Sequence, residues 1–520
     1  MSTTAGTRLL LRQFARRDRV IAPVWLLVLA VLCLVSAAAT PGLYDTDAAR
    51  VRAAEAINDS PAIVALYGPI LDVHSIGELS MTKMTVLYAV FAAILFVVLV
   101  RRHTRVEEES GRTELVGGTS VGRDAPLMAA VAESVIVAVV LGLLVALANI
   151  AGGLDPAGSV AFGCVWLGTG LVAIGIAAVC VQLSASARTC AAAAAGVLGV
   201  LFVIRAVGDA SGATWLSWLS PFGWNTQARA WSGTRWWVLA LYPLLAVALV
   251  AVAQWLRGRR DLGAGLLAAR PGPATGSPRL ADAVSLSVRV HSTAIVVWTG
   301  AVAVLGLLFG FIAPGLDDLL DTGSAQELID RLGGQMLAAV LSVVAIVVTC
   351  FGISVVTHAG SDETGGRTEE VLATSTSRAR WLAASLLVAL AGSLWLLIVT
   401  GITLWIGYAT AGGPSPGDLV TAAIGWSPAV WVVIGLAAVL LALRGSWAVF
   451  GWVWPALFLT LTLIGELAGF PGWLTGLSPY SHVPTMPAEP WRWAPEIGLT
   501  AVAALLLAGA WLRFRERDIG

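Results

Sequence analysis

Residues 107–116 read Glu-Glu-Glu-Ser-Gly-Arg-Thr-Glu-Leu-Val, and residues 362–372 read Asp-Glu-Thr-Gly-Gly-Arg-Thr-Glu-Glu-Val-Leu. Setting His103 on His358, an offset of 255, places Glu107-Glu108 on Asp362-Glu363 and Gly111-Arg112-Thr113-Glu114 on Gly366-Arg367-Thr368-Glu369. The match continues through Thr119-Ser120 and Thr374-Ser375 to Arg123 and Arg378. Further on, Leu219-Ser220-Pro221-Phe222 falls on Leu477-Ser478-Pro479-Tyr480 at an offset of 258, and Arg188 corresponds to Arg444. Chance similarity between apolar helices is cheap, but these matches lie in polar loops at a nearly constant offset. The chain therefore reads as two related halves.

Around each copy of this loop the sequence is apolar. The 520 residues are 58% hydrophobic and 12% charged, with a mean hydropathy of +0.83. A soluble domain has roughly a quarter of its residues charged. Long apolar blocks such as Val20–Ala39 and Met336–Val356 match the roughly 20 residues that cross a hydrocarbon core about 30 Å thick. Spans are predicted at 20–39, 84–100, 127–151, 159–182, 189–207 and 236–256, and again at 291–313, 336–357, 381–408, 419–442, 447–465 and 495–512. The expected architecture is an all-α polytopic membrane protein of about twelve helices. Its two six-span halves run parallel, related by a pseudo-two-fold axis along the membrane normal.

Basic residues orient the spans. With the N-terminus cytoplasmic, the inside segments hold 24 of the 32 lysines and arginines, including Arg513, Arg515 and Arg517 after the last span. The outside loops instead carry acids: Asp45, Asp47, Glu55, Asp59 and Asp72, then Asp317, Asp318, Asp321, Glu327 and Asp330. Both termini are thus expected in the cytoplasm. Arg257, Arg259 and Arg260 lead into a Pro/Gly/Ser stretch at 269–278 with no helical future. The domain reading is a first half over 1–257, a cytoplasmic linker over 258–285 and a second half over 286–520. No cleavable signal peptide is expected, because the first apolar stretch is too long for a signal core. The arginine-, alanine- and tryptophan-rich composition points to a GC-rich bacterium and hence to its cytoplasmic (inner) membrane.

Helical spacing puts Glu108, Arg112 and Leu115 on one face, with Glu363, Arg367 and Glu370 as the matching set. A short amphipathic helix charged enough to meet a soluble partner is expected there. A plain connector would be a solvated loop, but it has no reason to recur with its acidic pair and Gly-Arg intact. The N-terminal stretch with Leu9, Leu10 and Phe14 among arginines reads as an interfacial helix, and Leu280–Val290 as its counterpart. Within the spans charge is sparse: Glu133 lies about two turns into the third, and Glu466 ends the eleventh. A buried carboxylate in a span is a candidate for cation binding or proton relay, and also for a hydrated interfacial position.

Several function classes drop out. A net charge of zero gives no case for nucleic acid. The five cysteines lie in or beside apolar segments without metal-ligand spacing, and the five histidines are scattered, so neither a metal site nor an enzyme's clustered catalytic site is expected. Most of the 22 tryptophans fit aromatic girdles at headgroup level. Gly163, Gly168, Gly170 and Gly175 fit close helix packing, and Pro428 and Pro455 fit kinks. A Walker A loop needs a lysine on the β/γ-phosphates, and the only lysine, Lys83, sits on the outer side of the second span.

Six spans per half, a basic amphipathic N-terminal segment and an acidic Gly-Arg-x-Glu loop after span two resemble the ABC-2 type transporter permeases. The nearest likeness is to the fused twelve-span group of polyketide-antibiotic exporters of the tetronasin-resistance type, over nearly the whole chain. That resemblance implies the permease subunit of an ATP-driven exporter, moving a hydrophobic or amphipathic small molecule outward by alternating access. It assigns the contact with the ATPase, as coupling loops, to Glu107, Glu108, Gly111, Arg112 and Glu114, and to Asp362, Glu363, Gly366, Arg367 and Glu369. The second copy departs from the first with Asp362 for Glu107 and Gly365 for Ser110. ATP and Mg would then reside on a separate cytoplasmic ABC ATPase, in two copies, and this chain would bind no cofactor and hydrolyse nothing. The rival reading is a proton-driven secondary drug transporter of two six-span halves.

Overall fold

The computed structural model describes residues 3–59, 61–267, 275–278, 280–317, 326–410, 419–463, 472–484, 486 and 491–518. Asp318, Asp321, Glu466 and the linker stretch 269–274 lie outside them. The described residues are helical with no strand, and eleven of their helices are long and apolar enough to cross a membrane. The chain divides into two compact units, Met1–Gly272 and Pro273–Gly520.

Unit 1 begins with α1 (Thr7–Arg17), which breaks at Asp18 before the first long apolar helix, α2 (Ile21–Leu43). Three short helices follow at one end of the unit: α3 (Asp47–Asn58), α4 (Pro61–Tyr67) and α5 (Ile76–Thr85). The chain then returns through α6 (Leu87–His103) to the opposite, charged end, where it forms α7 (Arg105–Glu109) and α8 (Arg112–Gly117). Three long apolar helices come next: α9 (Ala125–Ala151), α10 (Pro156–Leu183) and α11 (Ala187–Ala210). The short α12 (Thr214–Trp218) and α13 (Pro221–Gln227) lead into α14 (Trp236–Gly258).

The core is organised around α10, whose apolar window is 78% buried. Glycine makes its crossing with α9 close: a Cβ on Gly163 would lie 2.4 Å from the Gly142 carbonyl oxygen, and one on Gly142 2.6 Å from the Gly163 oxygen. Backbones this near exchange van der Waals contact that a larger residue would block. The one buried amide of α13, Asn225, accepts from Tyr242 Oη at 2.7 Å and Thr169 Oγ1 at 3.1 Å. It also donates to the Thr85 carbonyl at 2.8 Å, serving a backbone oxygen beside the break between α5 and α6. In unit 1 the Ser-Pro motif is an N-cap: Ser220 Oγ accepts from the Phe222 amide, and Pro221 occupies the first turn of α13.

Unit 2 is built from α15 (Ala283–Asp317), α16 (Gln326–Thr364), α17 (Arg367–Leu372) and α18 (Arg378–Thr410). These are followed by α19 (Leu419–Gly425), α20 (Ser427–Leu443), a 3-10 helix over Gly445–Trp452, α21 (Val453–Leu463), α22 (Gly472–Thr475) and α23 (Trp493–Glu516). Its core lies where α16 and α20 meet, around Phe351, Ile353, Val433 and Ile434. Two sequence expectations change here. The segment Leu280–Val290 is not a separate interfacial helix, because α15 runs unbroken from Ala283. Asp282 caps it, accepting from the Ser285 amide at 2.7 Å, and these bonds hold its carboxyl below the usual carboxylate range. The span expected at 447–465 starts instead as the 3-10 helix and continues as the eleven-residue α21, ending at the edge of the described residues. Pro428 does interrupt its segment, since α19 ends at Gly425 and α20 restarts at Ser427 with the proline in its first turn.

Candidate functional site

The duplicated loop is a corner rather than a single amphipathic helix. In unit 1 the chain turns at Gly111, whose φ of 70° lies in the left-handed region that a side chain disfavours. In unit 2 Gly366 does the same at φ 75°. Helix α7 ends before that glycine and α8 begins after it, so Glu108 does not share a face with Arg112 and Leu115. The glycine between the two helical segments is the pivot.

At each corner the two acids separate in role. Glu107 accepts from Arg17 of α1 at 2.7 Å and from Arg112 at 3.3 Å. Asp362 likewise pairs with Arg367 at 2.8 Å. Arg112 and Arg367 remain 58% and 62% exposed. Glu114 and Glu369 are exposed in the first turns of α8 and α17, and Thr113 and Thr368 are buried beneath them. The second acid of each pair turns inward. The side chain of Glu108 is 4% exposed and held by Arg105 at 2.8 Å and Arg260 at 2.7 Å, while Glu363 pairs with Arg517.

Arg260 and Arg517 are functional candidates that sequence reasoning used only to orient the spans. Each stands just past the last long helix of its unit and reaches back to the corner. Arg123 donates to the carbonyls of Arg257 and Arg260, both at 3.2 Å, and Arg378 donates to the carbonyl of Arg517 at 2.9 Å. The signal was present in the sequence as a basic residue after the sixth span of both halves. The corner is therefore tied to the end of its own unit's last long helix.

Beneath the corners the units differ. In unit 1, Phe14 stacks on His103 with ring centroids 4.2 Å apart, and with Leu10 it packs on Ala125, Ala129 and Ala130 of α9. The space left beside Phe14, His103 and Arg112 is about 30 Å³. In unit 2 the corresponding space, lined by Ser287, His291, His358, Arg367 and Trp381, is about 410 Å³. There His291 lies edge-on to His358, with centroids 5.1 Å apart. Glu133 belongs to neither corner's surface; it is buried in α9, close to Asp18 and His103.

Comparison with known proteins matches two stretches of this chain, residues 14–256 and 280–515, to the family described as the C-terminal domain of the multidrug efflux system permease Rv1217c. The gap between them is the Pro/Gly-rich connection. The multidrug efflux system permease protein Rv1217c of Mycobacterium tuberculosis is 38% identical over 526 residues, covering 99% of this chain and 95% of the relative. With many apolar helices and a match of this extent, the chain is a multi-pass membrane protein that belongs to the Rv1217c family of multidrug efflux system permeases.

Proposed function

We propose that this permease is the membrane-spanning subunit of an ATP-driven exporter of the ABC-2 type, with its charged corners docking a separate cytoplasmic ATPase, one copy per corner. The observation that carries this reading is the duplicated corner itself. Each carries an exposed arginine and an exposed glutamate, Arg112 and Glu114 in unit 1 and Arg367 and Glu369 in unit 2, together with an inward carboxylate bound to the arginine just past its unit's last long helix. A push on the exposed part is thereby passed to the last long helix of the unit. No Walker lysine is present, since the only lysine, Lys83, lies in α5 at the opposite end of unit 1 from its corner; hydrolysis, with ATP and Mg, belongs to the partner.

The cargo is a hydrophobic or amphipathic small molecule, an antibiotic, drug or lipid, moved outward by alternating access across a bacterial cytoplasmic membrane with both termini inside. Apolar spans with few fixed charges suit such cargo and suit ions or sugars poorly. The role of the Mycobacterium tuberculosis relative, multidrug efflux, supports the cargo class. A proton-driven transporter is the second reading, favoured by the buried carboxylate of Glu133.

The deciding experiment is co-purification from the native membrane with wild-type and doubly charge-reversed R112E/R367E chains. The wild type is expected to retain an ATPase and to show drug-stimulated hydrolysis. The variant is expected to lose both while eluting as a folded, monodisperse protein. Transport that follows the proton gradient in vesicles lacking any ATPase would overturn the ATP-driven reading.

A further inference from the structure

Asp18, His103 and Glu133 come from three elements, the α1–α2 break, the last residue of α6 and the third turn of α9. They are 2%, 1% and 4% exposed. One donor atom from each lies within 4.8 Å of a donor atom of each of the other two. His103 Nε2 is 2.6 Å from Asp18 Oδ2. Glu133 Oε2 and His103 Nδ1 are buried, and among the described residues neither has a hydrogen-bond partner. A buried carboxylate oxygen without a donor is costly, and native structures leave few such atoms without a ligand or a function.

We propose that these three side chains form a binding site for one divalent first-row transition metal of the zinc class. An imidazole nitrogen with two carboxylate oxygens is a donor set such ions accept, and imidazole disfavours the purely oxygen-loving magnesium and calcium. With bonds of ~2.1 Å, tetrahedral ligands sit about 3.4 Å apart. The present spread therefore closes through side-chain rotation about Glu133 and a parting of the Asp18–His103 hydrogen bond. Two carboxylates and a neutral imidazole around a divalent ion form a neutral set. The cation now in the way is Arg102, whose Nη1 lies 3.2 Å from Asp18 Oδ1; it is 28% exposed and has a route outward to water. Phe14, stacked on His103, covers the ring and keeps the site dry.

The site joins the break after α1 to the end of α6, immediately before the corner. Arg17, next to Asp18, already holds Glu107. A bound ion would fix the angle at which α1 meets the corner of unit 1. Among the described residues unit 2 shows no such set: His291 packs edge-on against His358 beside a cavity, and the residue 255 positions after Glu133 is Val388. Linear sequence marks Glu133 alone as a candidate for cation binding; positions 18, 103 and 133 follow no metal-binding spacing that would join Asp18 and His103 to it.

The test is titration of Co2+, then competition by Zn2+, into the chelator-stripped full-length chain in detergent. One equivalent is expected, with visible d–d absorption and an X-ray absorption signature of a single imidazole among oxygen ligands. Loss of a second-shell partner weakens metal binding 10–100-fold, so E133Q, which removes a ligand, is expected to weaken it by at least about 100-fold. R102Q, which removes the competing cation, is expected to tighten it several-fold, and H358Q to leave it unchanged. Wild-type protein that takes up no cobalt, or E133Q that binds like wild type, overturns the site. So does an uptake that H358Q abolishes. If E133Q does not fold, the wild-type spectrum decides alone, and two imidazoles or none rules the site out. A pH-dependent unfolding midpoint that needs Glu133, seen without cobalt uptake, assigns the carboxyl to a proton instead.

Discussion

The two corners share a plan and differ in how they are anchored. Both turn on a left-handed glycine, both expose an arginine paired to the first acid, and both send the second acid inward to an arginine beyond the last long helix. Unit 1 adds Arg105, fully buried, which donates to the carbonyls of Val181 and Ala264 as well as to Glu108. At the matching position unit 2 has Gly360, and the 3-10 helix moves into the space: a Cβ there would lie 2.6 Å from the Gly445 oxygen and 2.7 Å from Ala448 Cβ. One corner is anchored by charge, the other by close backbone packing. Duplication thus preserved the exposed surface and the link to the last helix, while the means of holding the corner down diverged.

The largest effect should come from removing the charge at the centre of the first anchor. E108Q leaves Arg105 and Arg260 buried side by side without their anion, and breaking a buried pair costs about 3–5 kcal/mol. E363Q loses a bond to one arginine that is 10% exposed, closer to the roughly 1.5–3 kcal/mol of a hydrogen bond to a charged group. Unfolding midpoints of the two variants in the same detergent should separate in that order. Equal losses would mean that the second arginine in unit 1 adds nothing.

The converse test is G360A. Its added methyl meets backbone and Ala448 rather than the far end of a flexible chain, so overpacking of about 1–3 kcal/mol is expected. The same unfolding assay reads it, and an unchanged midpoint would show that the 3-10 helix is free to retreat and that unit 2 is not anchored by packing.

How much of this was legible in the sequence follows from which forces are local. Hydropathy marked the long helices because lipid demands an apolar stretch of set length, and eleven of the twelve predicted segments hold a helix that meets that demand. The stretch at 447–465 is equally apolar, yet composition carries no information on 3-10 against α geometry. The corner was found by its repetition and misread in its shape: spacing arguments assume a continuous helix, and Gly111 ends one. Arg112, Glu114, Arg367 and Glu369 were placed on the surface where they are. Glu108 and Glu363 were not, because their partners Arg260 and Arg517 lie about 150 residues away and meet them only through tertiary packing. The same holds for Glu133, read alone from the sequence and found beside Asp18 and His103.

The smallest structural perturbation discriminates most sharply between the corners as surfaces. Leu115, 78% exposed on α8, corresponds to Glu370, exposed on α17. Neither side chain packs in the core, so L115E and E370L should each move the unfolding midpoint by no more than about 0.5 kcal/mol equivalent. Their effect on a docked partner should be unequal. An exposed leucine beside Arg112 offers apolar area that a partner buries at about 25 cal/mol per Å², whereas Glu370 offers only a charge screened by water. L115E should therefore lower recovery of the proposed ATPase partner, and E370L should raise or preserve it. If both substitutions leave recovery unchanged, partner contact rests on Arg112 and Arg367 alone, and the two corners are equivalent to whatever binds them despite their different anchors.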